Sequence, residues 1–185
     1  MHLIVSIGVM RKLLITELNR LTVEEFKKTE KHSIVVVLDN IRSLHNVGSV
    51  FRTCDAFCME ALWLCGITAT PPHNEIHKSA LGAEDSVTWQ YFEETIDAVK
   101  KLRQEGYRIV GIEQVEQSTS LADFKPVRGE KYALVFGNEV KGVQQKVVDQ
   151  CDVCLEIPQY GTKHSLNVSV SAGIVLWEMV KNLGL

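Results

Sequence analysis

The sequence predicts an α/β domain whose mostly parallel sheet carries helices on both faces, and three observations support this. Short apolar, β-branched runs at residues 34–38, 107–112 and 132–136 have the composition of strands buried on both faces, the situation inside a parallel sheet. Helical patterns alternate with these runs along the chain, and that alternation builds parallel sheets. Finally, 185 residues suffice for one domain with a substantial core and are short for two.

The elements follow in order. Residues 13–31 read as a charged helical arm with Leu14, Leu18, Leu21 and Phe26 on one side, and Thr22-Val-Glu-Glu25 reads as a capping box at a second helix start. Lys27, Lys28, Lys31 and His32 then cluster, either as a solvated helix face or as an arm that touches nucleic acid. Residues 34–38 are the first strand, ended by Asp39-Asn40; Asn46 is placed to cap the next helix, which carries Val47, Val50, Phe51, Cys54 and Cys58. Residues 61–64 form a second strand closed by Gly66. Residues 68–84, which hold proline, histidine and glycine without clear periodicity, read as a long loop with a short helix at 78–81.

A strand at 87–91, an amphipathic helix at 93–104 and a strand at 107–112 come next. The strand at 132–136 runs into Gly137-Asn138-Glu139-Val140-Lys141-Gly142, followed by a short helix at 144–149 and a strand at 153–157. Pro158 then stops the strand, and Gly161 allows a tight turn. Ser165-Leu166-Asn167 stands at the mouth of a helix, 168–180, that is apolar on nearly every side and is therefore expected to be buried. A polar loop is thus pinned between a strand end and a core helix, presenting Lys163, His164, Ser165 and Asn167 together.

Composition bounds the function. Apolar residues make up 45% and charged residues 23%, as in ordinary globular proteins, and the formal charge of −3 gives no global pull toward nucleic acid. Any such affinity must come from a local patch. The five cysteines are odd in number and lie in apolar runs, which excludes a secreted disulfide framework and fits a cytoplasmic protein. Cys151 and Cys154 form a C-x-x-C at a strand entry, where residues three apart are expected on opposite faces, so buried thiols are preferred to a metal or redox pair and no metal is expected. Residues 2–9 are too short to span a bilayer, and Arg11 and Lys12 follow the apolar run where a signal peptide's charges would precede it. Met10 is expected to be the natural start, with residues 1–9 an upstream read-in. No G-x-G-x-x-G follows the first strand; the glycine-rich turns come late instead.

Three segments taken together resemble the SpoU (TrmH) class of the SPOUT superfamily. They are Asn46-Val-Gly-Ser-Val-Phe-Arg52-Thr-Cys-Asp-Ala-Phe57, Leu134-Val-Phe-Gly-Asn-Glu139-Val-Lys-Gly142 and Ile157-Pro-Gln-Tyr-Gly-Thr-Lys-His-Ser165-Leu-Asn167-Val-Ser-Val. Each alone is weak, whereas all three in this order are specific, and the resemblance covers about residues 33–181. It implies an S-adenosyl-L-methionine-dependent RNA 2′-O-ribose methyltransferase, with a deep C-terminal trefoil knot that nothing in the periodicity shows. It implies a homodimer with the active site at the subunit interface. It maps the donor onto backbone groups at Gly137, Ile157 and Leu166, near the end of the 107–114 strand, and places Asn46, Arg52, Glu139, Ser165 and Asn167 around the reacting hydroxyl.

Each of these residues also has a plainer role. Asn46 and Ser165 suit helix caps, Arg52 an ion pair with Asp55, and Glu139 the first turn of a helix; Asn167 just inside an apolar helix is harder to explain structurally. A guanidinium is almost never neutral, so Arg52 is better read as gripping a phosphate and stabilising a developing alkoxide than as a general base. The proton then falls to solvent, to a phosphate oxygen, or to His45 or His164.

One folded domain is expected, a methyltransferase domain at 33–185, preceded by a helical arm at 1–32. Only the arm with Lys27 and Lys28, the loop with Arg42 and His45, the 73–78 loop and Lys163 remain to grip RNA. Transfer RNA is favoured over ribosomal RNA because a small core suits a compact, preshaped substrate. The alternative is a non-catalytic RNA-binding or assembly factor on the same fold. No membrane partner is expected.

Overall fold

The computed structural model describes residues 10–184; the expected read-in at 1–9 lies outside the described residues. Seven strands form one sheet: β1 (His32–Asp39), β2 (Met59–Cys65), β3 (Trp89–Phe92), β4 (Tyr107–Ile112), β5 (Thr119–Ser120), β6 (Lys131–Phe136) and β7 (Val153–Glu156). Their order is β3-β2-β1-β6-β4-β7-β5, and every pairing is parallel. The helices are α1 (Val23–Lys28), α2 (Leu44–Ala56), α3 (Asn74–Ala80), α4 (Ala83–Ser86), α5 (Thr95–Gln104), α6 (Gln145–Val148) and α7 (Val168–Leu183).

Alternation along β1 shows how the apolar runs serve two cores. Ile34, Val36 and Leu38 pack with α2 and α7 on one face, while Val35 and Val37 pack with Ala98, Val99 and Leu102 of α5 and Val147 of α6 on the other. Each such side chain, fully removed from water, stabilises the fold by about 1.5–3 kcal/mol. Helices therefore cover both faces, as expected for a parallel sheet.

Several expectations need correction. The arm does restart as a helix at Thr22, but its first part is only a 3₁₀ turn at Ile15–Glu17, and Leu14, Leu18 and Leu21 are exposed while Phe26 is buried. The capping box at Thr22 and Glu25 is present as expected. Cys58 does not continue the helical face of Cys54; α2 stops at Ala56 and Cys58 lies in a left-handed turn that starts β2. The 68–84 segment is not a long loop with one turn of helix but holds both α3 and α4, and β5 went unpredicted because two residues carry no readable period. Cys151 and Cys154 do not point apart. Cys151 precedes β7, and both sulfurs sit over Gly111 of β4, each 3.0 Å from where a Cβ would stand. Burial pushes the Cys65 and Cys151 thiols up to about 12, so they stay protonated near neutrality.

The most consequential correction concerns α7. Val168, Ala172, Val175, Leu176, Met179 and Val180 are buried, but Val170, Ile174 and Trp177 stand on an exposed stripe at i, i+4, i+7 spacing. The helix is apolar all round because both of its sides are apolar, yet only one meets this chain's core.

Gly48 explains why glycine stands in the first motif. A Cβ there would come within 2.2 Å of Ser79 Oγ and 2.3 Å of the Ile76 carbonyl oxygen, so α2 and α3 pack at backbone distance. Gly48→Ala is expected to force the two helices apart and to lower stability by about 1–3 kcal/mol, read as a fall in the thermal midpoint. An unchanged midpoint would mean that α3 moves freely.

Candidate active site

The carboxyl ends of the central strands open onto one cleft of about 500 Å³, lined by Gly137, Ile157 and Leu166 together with Glu113, Gln114, His164, Ser165 and Asn167. The chain runs outward from β1 through β2 to β3, then crosses back to β4 beyond β6. A crevice at the carboxyl ends beside such a reversal is where open α/β sheets bind ligands.

The 137–143 turn is built by backbone. Asn138 N donates to the Gly142 oxygen at 3.0 Å and Gly142 N donates back at 2.9 Å. The Asn138 side chain stiffens it, its Oδ1 accepting from Val140 N at 2.9 Å and Lys141 N at 3.0 Å. A Cβ at Gly137 would lie 2.1 Å from both Gly142 C and Val143 N, so only glycine lets the turn fold back on the end of β6. The far side is held by Asp39, fully buried at the end of β1, which accepts from Thr95 Oγ1, Gln144 N and Gln144 Nε2. Sequence reasoning read Asp39 only as a strand end; the available signal was an acid closing a run of five apolar residues.

Three of the five predicted catalytic residues form one hydrogen-bonded relay. Glu139 Oε1 accepts from Ser43 N and Asn46 Nδ2, both at 3.0 Å, and its Oε2 accepts from Arg42 N at 3.0 Å. Asn167 Nδ2 donates to Asn46 Oδ1 at 3.1 Å. The amide of Asn46 is therefore oriented by an acid on one side and a second amide on the other. Burial pushes the Glu139 carboxyl up, but the N–H donors of Arg42, Ser43 and Asn46 outweigh it and hold the group below the usual carboxylate range.

The plainer roles are now sorted. Ser43, not Asn46, caps α2, accepting from Asn46 N at 3.3 Å, so the Asn46 side chain is left for the relay. Asn167, not Ser165, caps α7, its Oδ1 accepting from Ser169 N at 2.9 Å. An exposed cap position accounts for an amide before an apolar helix. Ser165 is exposed in the cleft lining. Arg52 does not pair with Asp55, whose carboxylate accepts from Ser86 Oγ instead; it is exposed on α2 and does not line the cleft of its own chain.

The candidate RNA contacts fall at two edges. Arg42, His45 and Lys163 are exposed on segments at the carboxyl edge, where the cleft lies. Lys27 and Lys28 are exposed on α1, before β1 begins. The eight residues of β1 separate the two edges by roughly 25 Å. The 73–78 segment is committed to α3: His73 Nδ1 caps it by accepting from Glu75 N, and Lys78 pairs with Glu75 at 2.6 Å. Glu113 and Gln114, at the end of the 107–114 segment that the resemblance puts near the donor but given no role there, follow β4 directly and reach both turns. Glu113 Oε2 accepts from Val143 N at 2.8 Å, and Gln114 Nε2 donates to the His164 oxygen at 3.1 Å. Their signal was a polar pair immediately after an apolar strand.

Comparisons with known proteins bear on this arrangement. The chain is 33% identical over 153 residues to a tRNA (guanosine(18)-2′-O)-methyltransferase of Mus musculus, covering 80% of this chain and 9% of that protein. It is 32% identical over 161 residues to the tRNA (guanosine(18)-2′-O)-methyltransferase of Aquifex aeolicus, covering 84% of this chain and 72% of that one. Among solved structures it is similar to the SpoU methyltransferase AviRb from Streptomyces viridochromogenes in complex with AdoMet, with a TM-score of 0.71 and 26% identity over 83% of this chain and 58% of that one. The chain spans about three fifths of the length of six further curated relatives that it matches. The SpoU rRNA Methylase family matches residues 33–177, which include all three motifs and the whole cleft lining, and the chain belongs to that family.

Proposed function

We propose that the protein transfers a methyl group from S-adenosyl-L-methionine to a ribose 2′-hydroxyl of tRNA or rRNA. The observation that carries this is the Glu139–Asn46–Asn167 relay standing at the mouth of a cleft built from glycine turns and exposed backbone. The relatives named above methylate a ribose 2′ oxygen of tRNA, and the AviRb complex holds AdoMet. The residues present fit that donor: the cleft has the volume of a small-molecule site, and the 137–143 turn, folded at backbone distance onto Gly137, brings its backbone to the cleft wall. Gly137, Ile157 and Leu166 would hold the adenosine through backbone groups.

When bound, the donor supplies a methyl group on a positively charged sulfur. The protein's own share is to hold a poor nucleophile in line with that group and to stabilise the charge it develops. The relay fixes the Asn46 amide and Asn167 beside the cleft, and Ser165 offers a hydroxyl at its rim. Arg52 is the cation for the adjacent phosphate and the developing alkoxide. Because it lies outside its own cleft, a second copy supplies it. The exposed Val170, Ile174 and Trp177 of α7 suit the contact between copies in a homodimer. The trefoil knot belongs to the same proposal; the cleft is lined by both the 136–142 turn and the 155–168 segment that leads into α7, as a tucked C-terminal crossing would require. No helix among the described residues is long and apolar enough to cross a membrane, and a cytoplasmic site of action accords with five free thiols.

Incubation with labelled donor and total RNA from a strain lacking the protein tests the reading. Label in an alkali-resistant dinucleotide is expected, because a 2′-O-methyl group blocks cleavage of the following linkage. Label confined to base-modified nucleosides, or none, would overturn it; tRNA is the favoured carrier. The arm at residues 10–32 is proposed as a separate RNA contact for a substrate long enough to reach both edges of the sheet. Lys27→Glu combined with Lys28→Glu is expected to weaken RNA binding and to reduce the slope of log K against log salt by about 2. An unchanged slope would reduce the arm to plain surface.

A further inference from the structure

Two acidic residues of the cleft lining, Glu113 and Glu156, stand outside the relay, and of these Glu113 is the one whose carboxylate is pinned by the 137–143 turn. Its backbone is fixed by the bond from Glu113 N to the Leu155 oxygen at 3.1 Å. Its side chain is held at both oxygens, Oε1 accepting from Gln114 N at 2.9 Å and Oε2 from Val143 N at 2.8 Å. Gly142, with φ +68°, presses against it so closely that a Cβ there would lie 2.1 Å from Oε2. Among the described residues it has no cationic partner, and it lines the cleft. An ionised carboxylate is an acceptor only, with about two lone-pair sites on each oxygen. Two backbone N–H groups take one site on each, so each oxygen keeps one site for whatever enters the cleft.

A rigid pair of acceptors side by side matches a pair of donors side by side, and adjacent sugar hydroxyls are such a pair. An acidic residue on a ribose hydroxyl is the solution used beside dinucleotide turns at strand ends in other α/β sheets. We propose that Glu113 binds the vicinal 2′- and 3′-hydroxyls of the ribose within the methyl donor, and so selects adenosyl donors that carry both. The inference rests on the donor-site reading above. It makes Glu113 a binding residue as well as the brace of the 137–143 turn.

Calorimetric titration with S-adenosyl-L-homocysteine, its 2′-deoxy and 3′-deoxy analogues and an analogue lacking the amino group separates the possibilities. In the unaltered protein each deoxy analogue is expected to bind about tenfold to a hundredfold more weakly than the parent, the range for a hydrogen bond to a charged group. In Glu113→Gln, which keeps a carbonyl oxygen for Val143 N, the parent is expected to weaken by a similar factor and the deoxy penalties to shrink to about twofold. Deoxy penalties unchanged in Glu113→Gln would overturn the inference, because a merely structural role weakens all ligands alike. A shrunken penalty for the amino-deleted analogue instead would overturn it too, by assigning the carboxylate to an ammonium group. Failure of the unaltered protein to bind the parent in this cleft would sink the donor-site reading itself.

Discussion

Glu139→Ala is expected to cost methyl transfer on the order of 10²-fold and to lower the thermal midpoint at the same time. The carboxylate takes three N–H donors, from Arg42, Ser43 and the Asn46 amide. Removing it leaves all three without partners at the junction of α2 and the 137–143 turn. Each unmet buried donor costs about 1–3 kcal/mol, and Glu139 is only half-buried, so water recovers part of that. The larger effect falls on the reaction, because the Asn46 amide loses the group that orients it and a misplacement of about 1 Å is enough for a hundredfold loss. Glu139→Gln keeps one acceptor but turns an NH₂ toward the donors; it is expected to fall between the two. Equal rates in Glu139→Ala and the unaltered protein would remove the relay from the mechanism.

The same carboxylate sets a pH dependence whose sign is fixed. Its folded-state pKa is held below the unfolded value by its N–H donors, despite burial pushing it up. Its contribution to stability is therefore fully present above the unfolded carboxylate range and is lost as pH falls through the folded value. The midpoint of the unaltered protein should drop on acidification more steeply than that of Glu139→Gln, which has no proton to take up. Parallel curves would mean that the donors do not favour the charged form.

How much of this was legible beforehand follows from what each element rests on. β1, β4 and β6 are buried on both faces, so their runs are continuous and could be read within one or two residues of their bounds. β5 and the split of 68–84 into α3 and α4 were not legible, since elements of two to seven residues show no full period and are fixed by neighbours in space. The motifs pointed to Asn46, Glu139 and Asn167, and the structure brings them together. The identity of the caps could not be read, because Ser43 and Asn46, or Ser165 and Asn167, are equally good capping types and only backbone angles decide between them. Likewise Glu113 and Gln114 gain their meaning from turns 30 and 50 residues away. The apolar run of 168–180 predicted burial on every side, and only one side is buried; the exposed stripe of Val170, Ile174 and Trp177 carries the same composition as the side that meets the core.

That stripe and the position of Arg52 lead to the second large effect. Arg52→Ala is expected to reduce methyl transfer by about 10²–10³-fold, the range seen when one stabiliser of developing negative charge is removed. Donor affinity is expected to stay within about twofold, since Arg52 does not line the cleft. The single variant loses activity whether Arg52 acts on the cleft of a second copy, as proposed, or on its own chain's cleft after a rearrangement. Pairing two defects separates them. Asn167→Ala damages the cleft itself, through the relay to Asn46, and leaves Arg52 in place. If sites are shared between copies, a heterodimer of Arg52→Ala with Asn167→Ala has one site that joins an intact cleft to an intact arginine and one site with both defects. Purified through two different tags, that heterodimer is expected to recover about half of the unaltered activity, from the one whole site among its two symmetry-related sites, although each variant alone is nearly inactive. If Arg52 serves its own cleft, every site in the heterodimer carries one defect and nothing is recovered. A further substitution of Trp177→Glu should abolish the recovery by separating the copies. Recovery that persists with Trp177→Glu in both chains would show that the stripe on α7 is not the contact.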